Sequence, residues 1–428
     1  MIQYILSVAA ALAVIPAAAQ QTKVYTLSDC ISEAVANNAK LRTANGKIAM
    51  AVEQRKEALT KYFPTLSATG GGFMANMGLV EIDMPGASMS LVKNGIAAGV
   101  TAMQPVFAGG QIVCANRLAK VGEESSRLQR GLTENEIRLS PETYYWQIVQ
   151  LKEKLATLDV LYRQLESMCR DAQAAVDAGI RNRNDVLQVQ LRQNEVSASR
   201  IQVQNALSTM TDLLAQVMGH TGESLDVDYS ISDGKYETPE DPQQYYQSPE
   251  ASLMQTCEYQ LLDKQVEANR LQYRMAVAKN MPSVAVGGSY LYNNVMDKSQ
   301  NRLVGLLTVS VPISSWWGGS HDMRRQKQQM ANSVYDKQDQ SEMLVIRMRK
   351  AWNDMNDAYK QVAIARNSIA QSEENLRLNT DYYQAGTAAI SDLLDAQTLY
   401  QQSRDRYVES YANYEVRKRE YLQATGRH

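Results

Sequence analysis

AGIRNRNDVL at residues 178–187 and AGTAAISDLL at residues 385–394 stand 207 positions apart, and that spacing governs the whole chain. Gly179 maps to Gly386 and Asp185 to Asp392 at this offset, as do Pro105 to Pro312 and Gly219 to Gly426. The surrounding text agrees in type. VTAMQPVFAGG (100–110) faces TVSVPISSWWGG (308–319), and LAQVMG (214–219) faces YLQATG (421–426). Further upstream, EALTKYFPTLSATGG (57–71) is matched by MAVAKNMPSVAVGGSY (275–290), with a loop of different length between the strands that follow. Four landmarks at one ungapped offset define an internal duplication. The expected division is repeat 1 at 20–247 and repeat 2 at 248–428.

Each repeat runs in the same order. An amphipathic helix (27–61 or 248–279) ends at Pro64 or Pro282, as helices do where a proline follows. Two strands come next, then a very long helix, a Gly-containing turn and a returning helix. The long helices carry a 4-3 spacing. In repeat 1 it runs through Leu151, Leu155, Leu158, Tyr162, Leu165, Cys169, Ala172 and Val176. In repeat 2 it runs through Ala358, Val362, Ala365, Ile369, Ser372, Leu376, Asn379 and Tyr383. Sustained heptads mean helices wound around each other. Small and polar seam residues suit a wall in which each helix touches two neighbours better than a two-helix zipper. Tyr400, Tyr407, Tyr414 and Tyr421 recur every seven residues and are expected to pack within that wall. Residues 112–178 as one helix would span about 100 Å at ~1.5 Å per residue. Ser140-Pro141 suggests a restart or kink within it.

Four strands are expected near 65–76, 96–107, 283–293 and 302–313, within segments 65–107 and 283–313. Strands of ~9–11 residues match the reach of a transmembrane β-strand, although a soluble sheet would read alike. In a bilayer, strands are stable only as a closed barrel, because an unpaired edge leaves backbone groups without partners in lipid. Four strands are too few to close one, so copies must share it. Two copies give eight strands and three give twelve; the residues alone leave both open.

The 428 residues carry a formal net charge of -2, which gives no reason to expect a nucleic-acid partner. Only 10 are proline, as long helices require. Met1 to Ala19 is uncharged and apolar and ends Ala17-Ala18-Ala19-Gln20, so 1–19 is expected to be a cleaved signal peptide; a membrane anchor is the other reading. Cys30, Cys114, Cys169 and Cys257 fit no metal or redox spacing, and the three histidines stand apart. There is no phosphate loop, nucleophile elbow or zinc spacing, so no enzyme, cofactor or metal site is expected. An exported soluble coiled-coil scaffold or surface stalk is the alternative to a membrane duct; it accounts for the heptads but not for strand pairs at equivalent points of both repeats.

The segments TLSDCISEAVANNAKL (26–41), KYFPTLSATGGG (61–72), QPVFAGGQ (104–111), AGIRNRNDVLQVQ (178–190) and YYQAGTAAISDLLDAQTLY (382–400) together resemble the TolC-like outer-membrane efflux family over nearly the whole mature chain. The resemblance implies a mainly α fold with long coiled-coil hairpins forming a tunnel, and four strands per chain contributing to a twelve-stranded barrel shared by a homotrimer. It implies an exit duct of a tripartite efflux or type I secretion system. That duct would sit in the outer-membrane lipid with its tunnel in the periplasm, docked to a periplasmic adaptor and an inner-membrane pump. The tips would lie near 179–185 and 386–392, with Gly179, Arg181, Arg183, Asp185 and Gly386 at the adaptor-docking end. Asp392, Asp395 and Tyr383 would form the gate. Asp392 and Asp395, at i and i+3, share a helix face, and three chains would ring six carboxylates around one axis, favouring cations. The other reading is that Asp392 caps a helix N-terminus. The family's namesake carries an Arg two residues after the second-tip glycine. This chain has Ala388 there and places Arg181 and Arg183 in the first tip instead.

Overall fold

The computed structural model describes residues 23–76, 80–84, 87–91, 94–223, 225–228, 238–295, 298–313 and 315–427; the expected signal peptide at 1–19 lies outside them. Repeat 1 contains β1 (Lys23–Tyr25), α1 (Leu27–Asn37), α2 (Ala39–Thr60), β2 (Thr65–Met74), β3 (Val80–Met84), β4 (Ala87–Leu91), β5 (Asn94–Ala108), α3 (Gln111–Asp177), α4 (Arg183–Met218) and β6 (Leu225–Val227). A 3-10 turn (Pro242–Tyr245) leads into α5 (Pro249–Leu253), α6 (Cys257–Lys279), β7 (Ser283–Val295), β8 (Lys298–Ser310), α7 (Ser315–Gln384) and α8 (Ile390–Ala424). The long helices α3 and α7 have 67 and 70 residues, about 100 Å each at ~1.5 Å per residue.

Three sequence expectations change; one is the helix expected over 248–279, which divides into α5 and α6 where the Thr256 side chain caps α6 by accepting the Tyr259 N–H. The opening helix is two helices, because Asn38 is extended (φ -62°, ψ 131°) and its side chain caps α2 by accepting the Lys40 N–H at 2.9 Å. The Asn38 amide also donates to the Val217 carbonyl at 2.9 Å, tying the break to the end of α4. The expected restart at Pro141 does not occur: α3 runs through it. Pro141 removes one backbone donor, but it is buried in the helix row that also buries Ile137, Tyr145 and Ile148, and this packing holds the helix together.

The hairpins pack as the heptads require. In repeat 1, Leu158, Leu165, Val189, Val196 and Val203 form a seam, and it accepts Ile390, Leu393 and Leu394 from the start of α8. In repeat 2, Ala358, Val362, Ala365 and Ile369 of α7 pack against the tyrosine column of α8. Tyr407, Tyr414 and Tyr421 are fully buried. Their hydroxyls do a second job. Tyr414 donates to the Glu240 carbonyl at 2.5 Å, and the Tyr421 hydroxyl accepts the Gln247 N–H at 2.9 Å, so the column clips down the connector between the repeats. Tyr414→Ala is expected to cost about 3–5 kcal/mol by opening a cavity, and Tyr414→Phe about 1 kcal/mol by losing the hydroxyl contact. Thermal melting followed by circular dichroism checks both.

The four long strands form one antiparallel sheet in the order β2-β5-β7-β8. β8 ends at Ser310, short of Pro312, which has no N–H to give a ladder. The β5–β7 register shifts between Pro105 and Phe107, a bulge where proline again interrupts pairing. Alternation through the paired registers sorts the sheet into two faces. One carries Leu66, Val100, Tyr290 and Leu303, with Ile96, Val286, Leu307 and Val309, all exposed. The other carries Ser67, Thr69, Thr101, Ser289, Gln300, Arg302 and Thr308, interspersed with Phe73, Leu291, Val304 and Leu306. The second face is the tighter one: Ser289 is buried, Thr101 and Ser289 hydroxyls lie 2.9 Å apart, and a Cβ on Gly99 would fall 2.7 Å from Leu291 Cδ2. An apolar, more exposed face opposite a mixed face that holds the hydroxyl, amide and guanidinium groups fits a lipid-facing barrel wall with a wet interior. In one chain the sheet is open, with β2 and β8 at its edges.

Candidate functional site at the hairpin tips

Both hairpins turn on a glycine held at positive φ, Gly179 at 72° and Gly386 at 76°. Ile180 N–H closes on the Ala175 carbonyl and Thr387 N–H on the Tyr382 carbonyl, both at 2.9 Å, which satisfies the orphan carbonyls at each helix end. A side chain at either glycine would strain this conformation.

The fold brings the two turns together. Arg181, in the first, donates from Nη2 to the Tyr383 carbonyl at 2.9 Å, and its guanidinium carbon lies 4.5 Å from the centre of the Tyr383 ring. A charge-assisted hydrogen bond and a cation–π contact thus join residues 202 positions apart. Burial raises the Tyr383 phenol pKa; Arg181 opposes that and Asp185 and Asp171 add to it. Asp185 lies in the first turn of α4, where its charge complements the helix dipole. Arg183 opens the same helix and is exposed.

Asp392 and Asp395 share one exposed face of α8, while Leu393, Leu394, Ala396 and Gln397 are buried. Asp392 accepts the Ala389 N–H at 3.2 Å, so it closes the first turn of α8 as the capping reading requires. Asp395, a turn deeper, forms no ion pair among the described residues. Capping uses one oxygen of Asp392 and leaves its carboxylate on the exposed face. Sequence reasoning missed what steadies this face. Gln397 Nε2 lies 3.3 Å from Met168 Sδ of α3, and Ile390, Leu393 and Leu394 enter the repeat 1 seam. Those partners come from the other repeat, and no local pattern announces them.

Long paired hairpins, a duplicated chain and an open sheet with a lipid-type face define the channel-tunnel fold. The profile of the outer membrane efflux protein family matches residues 30–220 and 260–427, and the chain belongs to that family; its role is that of an outer-membrane efflux channel. Solved structures agree on the fold. CusC, whose structures concern folding and transmembrane channel formation, has a TM-score of 0.82 at 15% identity, covering 94% of this chain and 92% of that one. The CmeC outer membrane channel of Campylobacter jejuni has a TM-score of 0.81 at 13% identity, with 94% and 85% covered. The outer membrane protein VceC of Vibrio cholerae has a TM-score of 0.79 at 13% identity, with 94% and 96% covered. No curated sequence matches the chain.

Proposed function

We propose that three copies share one twelve-stranded barrel in the outer membrane and line a periplasmic tunnel whose tip is closed by an acidic constriction at Asp392 and Asp395. The observation that carries this reading is the pair of free sheet edges, β2 and β8, on a sheet whose outer face is apolar and exposed. Lipid contact requires those edges to be paired, and two copies would close a lumen filled by side chains. Tyr62, Phe63, Phe107 and Trp317 are exposed around the junction of barrel and helices, where aromatic residues suit the membrane–water boundary. The tips, with Gly179, Arg181, Arg183, Asp185 and Gly386, dock a periplasmic adaptor that hands cargo over from an inner-membrane pump. The duct is a passive member of a tripartite efflux or type I secretion assembly.

Within each chain, Arg181 takes the part of the tie that Ala388 is unable to supply: it fastens hairpin 1 to Tyr383 of hairpin 2. A hydrogen bond to a charged donor contributes about 1.5–3 kcal/mol. Arg181→Ala should therefore raise the open fraction of the tip by about tenfold to a hundredfold, read as higher single-channel conductance. The function itself is tested in planar bilayers with protein extracted from outer membranes. A small, cation-selective conductance is expected; protein recovered in soluble form that yields no channel would overturn the duct.

A further inference from the structure

The barrel interior carries a charge that the tip does not use. The four long strands contain no Asp or Glu, and their two basic residues, Lys298 and Arg302, both belong to β8. The acidic Glu81 and Asp83 belong to β3, which pairs with β4 in a separate two-stranded sheet. Arg302 pairs in register with Leu291 and sits on the polar face with Thr101 and Ser289. Its guanidinium donates to Gln300 Oε1 at 2.6 Å, a neutral partner on the same face, and it forms no ion pair among the described residues. β7 runs away from the helical junction and β8 returns to it. Arg302, four residues into β8, therefore lies about 14 Å along the strand from its far end at ~3.4 Å per residue.

We infer that Arg302 forms a cationic ring in the outer half of the barrel lumen and binds small oxyanions there, phosphate- or carboxylate-bearing groups included. The guanidinium is exposed to the lumen, always charged and shaped for two-oxygen partners. Its neutral neighbour orients it without cancelling its charge. Three such groups facing one axis, with no carboxylate on the surrounding strands, make a weak anion site. The tunnel thus carries opposite signs at its two ends: acidic at the tip, basic in the barrel. The inference rests on the shared barrel proposed above.

The test uses full-length protein in planar bilayers, with inorganic phosphate added to either side. Wild type should show a current reduction by phosphate that is stronger from the barrel side than from the tip side. Arg302→Gln should remove that asymmetry and raise the cation-to-anion permeability ratio by about twofold. Arg302→Lys, which keeps the charge and loses the fork, should keep the permeability ratio and weaken the phosphate effect. A wild-type channel indifferent to phosphate, or an Arg302→Gln channel identical to wild type, would overturn the ring and leave the duct standing. Absence of any channel in the wild type would overturn both. If Arg302→Gln yields no channel, Arg302→Lys decides alone: a phosphate effect equal to that of wild type would contradict the inference.

Discussion

Replacing Asp392 and Asp395 together by alanine is expected to cut the cation preference of the channel at least about fivefold, the share of a single carboxylate, and to raise its conductance. One carboxylate about 8 Å from a permeating ion contributes about 2 kcal/mol at an effective dielectric of ~20. Screening over a Debye length of ~10 Å at 0.1 M salt roughly halves that. A remaining ~1 kcal/mol corresponds to about a fivefold preference. The single variants separate two roles. Asp392 caps α8 through the Ala389 N–H, so Asp392→Ala also loses about 1 kcal/mol of helix stability. Asp395 has no cap to lose, so Asp395→Ala should change selectivity with the melting temperature unmoved. Reversal potentials in a salt gradient, measured beside thermal melts, distinguish them. Unchanged selectivity in the double variant would move the constriction elsewhere.

The second large effect concerns the outer face of the barrel. Leu303→Arg places a charge on a strand whose neighbours on that face are Tyr290 across the ladder and, four residues along, Leu307. A charge facing lipid near the bilayer midplane costs about 2–4 kcal/mol per chain, and every copy around the barrel bears it. The variant should accumulate outside the outer membrane or fail to assemble. Val304→Arg is the control, because residue 304 sits on the opposite face beside Ser289. If that face lines a wet lumen, Val304→Arg assembles normally. Equal tolerance of both variants would contradict the assignment of faces.

Much of this architecture was legible in the chain because it follows from periodicity. The 207-residue offset reappears in the order of elements, the heptad positions Leu158 and Ile369 are buried, and the alternating stretch 303–310 is strand, paired in register with β7. Punctuation was harder. The restart at Pro141 and the unbroken helix over 27–61 both failed for one reason: tertiary packing decides whether a local breaker breaks. Buried neighbours carry α3 through Pro141, whereas the Asn38 amide finds Val217 across the fold and the helix stops. The tip was half legible. Arg181 drew notice as a basic residue in the first turn, but its contact with Tyr383 joins two repeats, and no spacing rule reaches that far. The tyrosine column was correctly assigned to packing. Its hydroxyl contacts to Glu240 and Gln247 depend on where the connector lies, which carries no repeat and no pattern.

The measurement that bears most directly on the shared barrel is the native mass of the protein extracted from outer membranes in mild detergent. In the proposed trimer, three open sheets, each with β2 and β8 at its edges, would close into twelve strands, so the mass should equal three chains with no stable monomer. A mass of two chains, or a monodisperse single chain, would contradict the account.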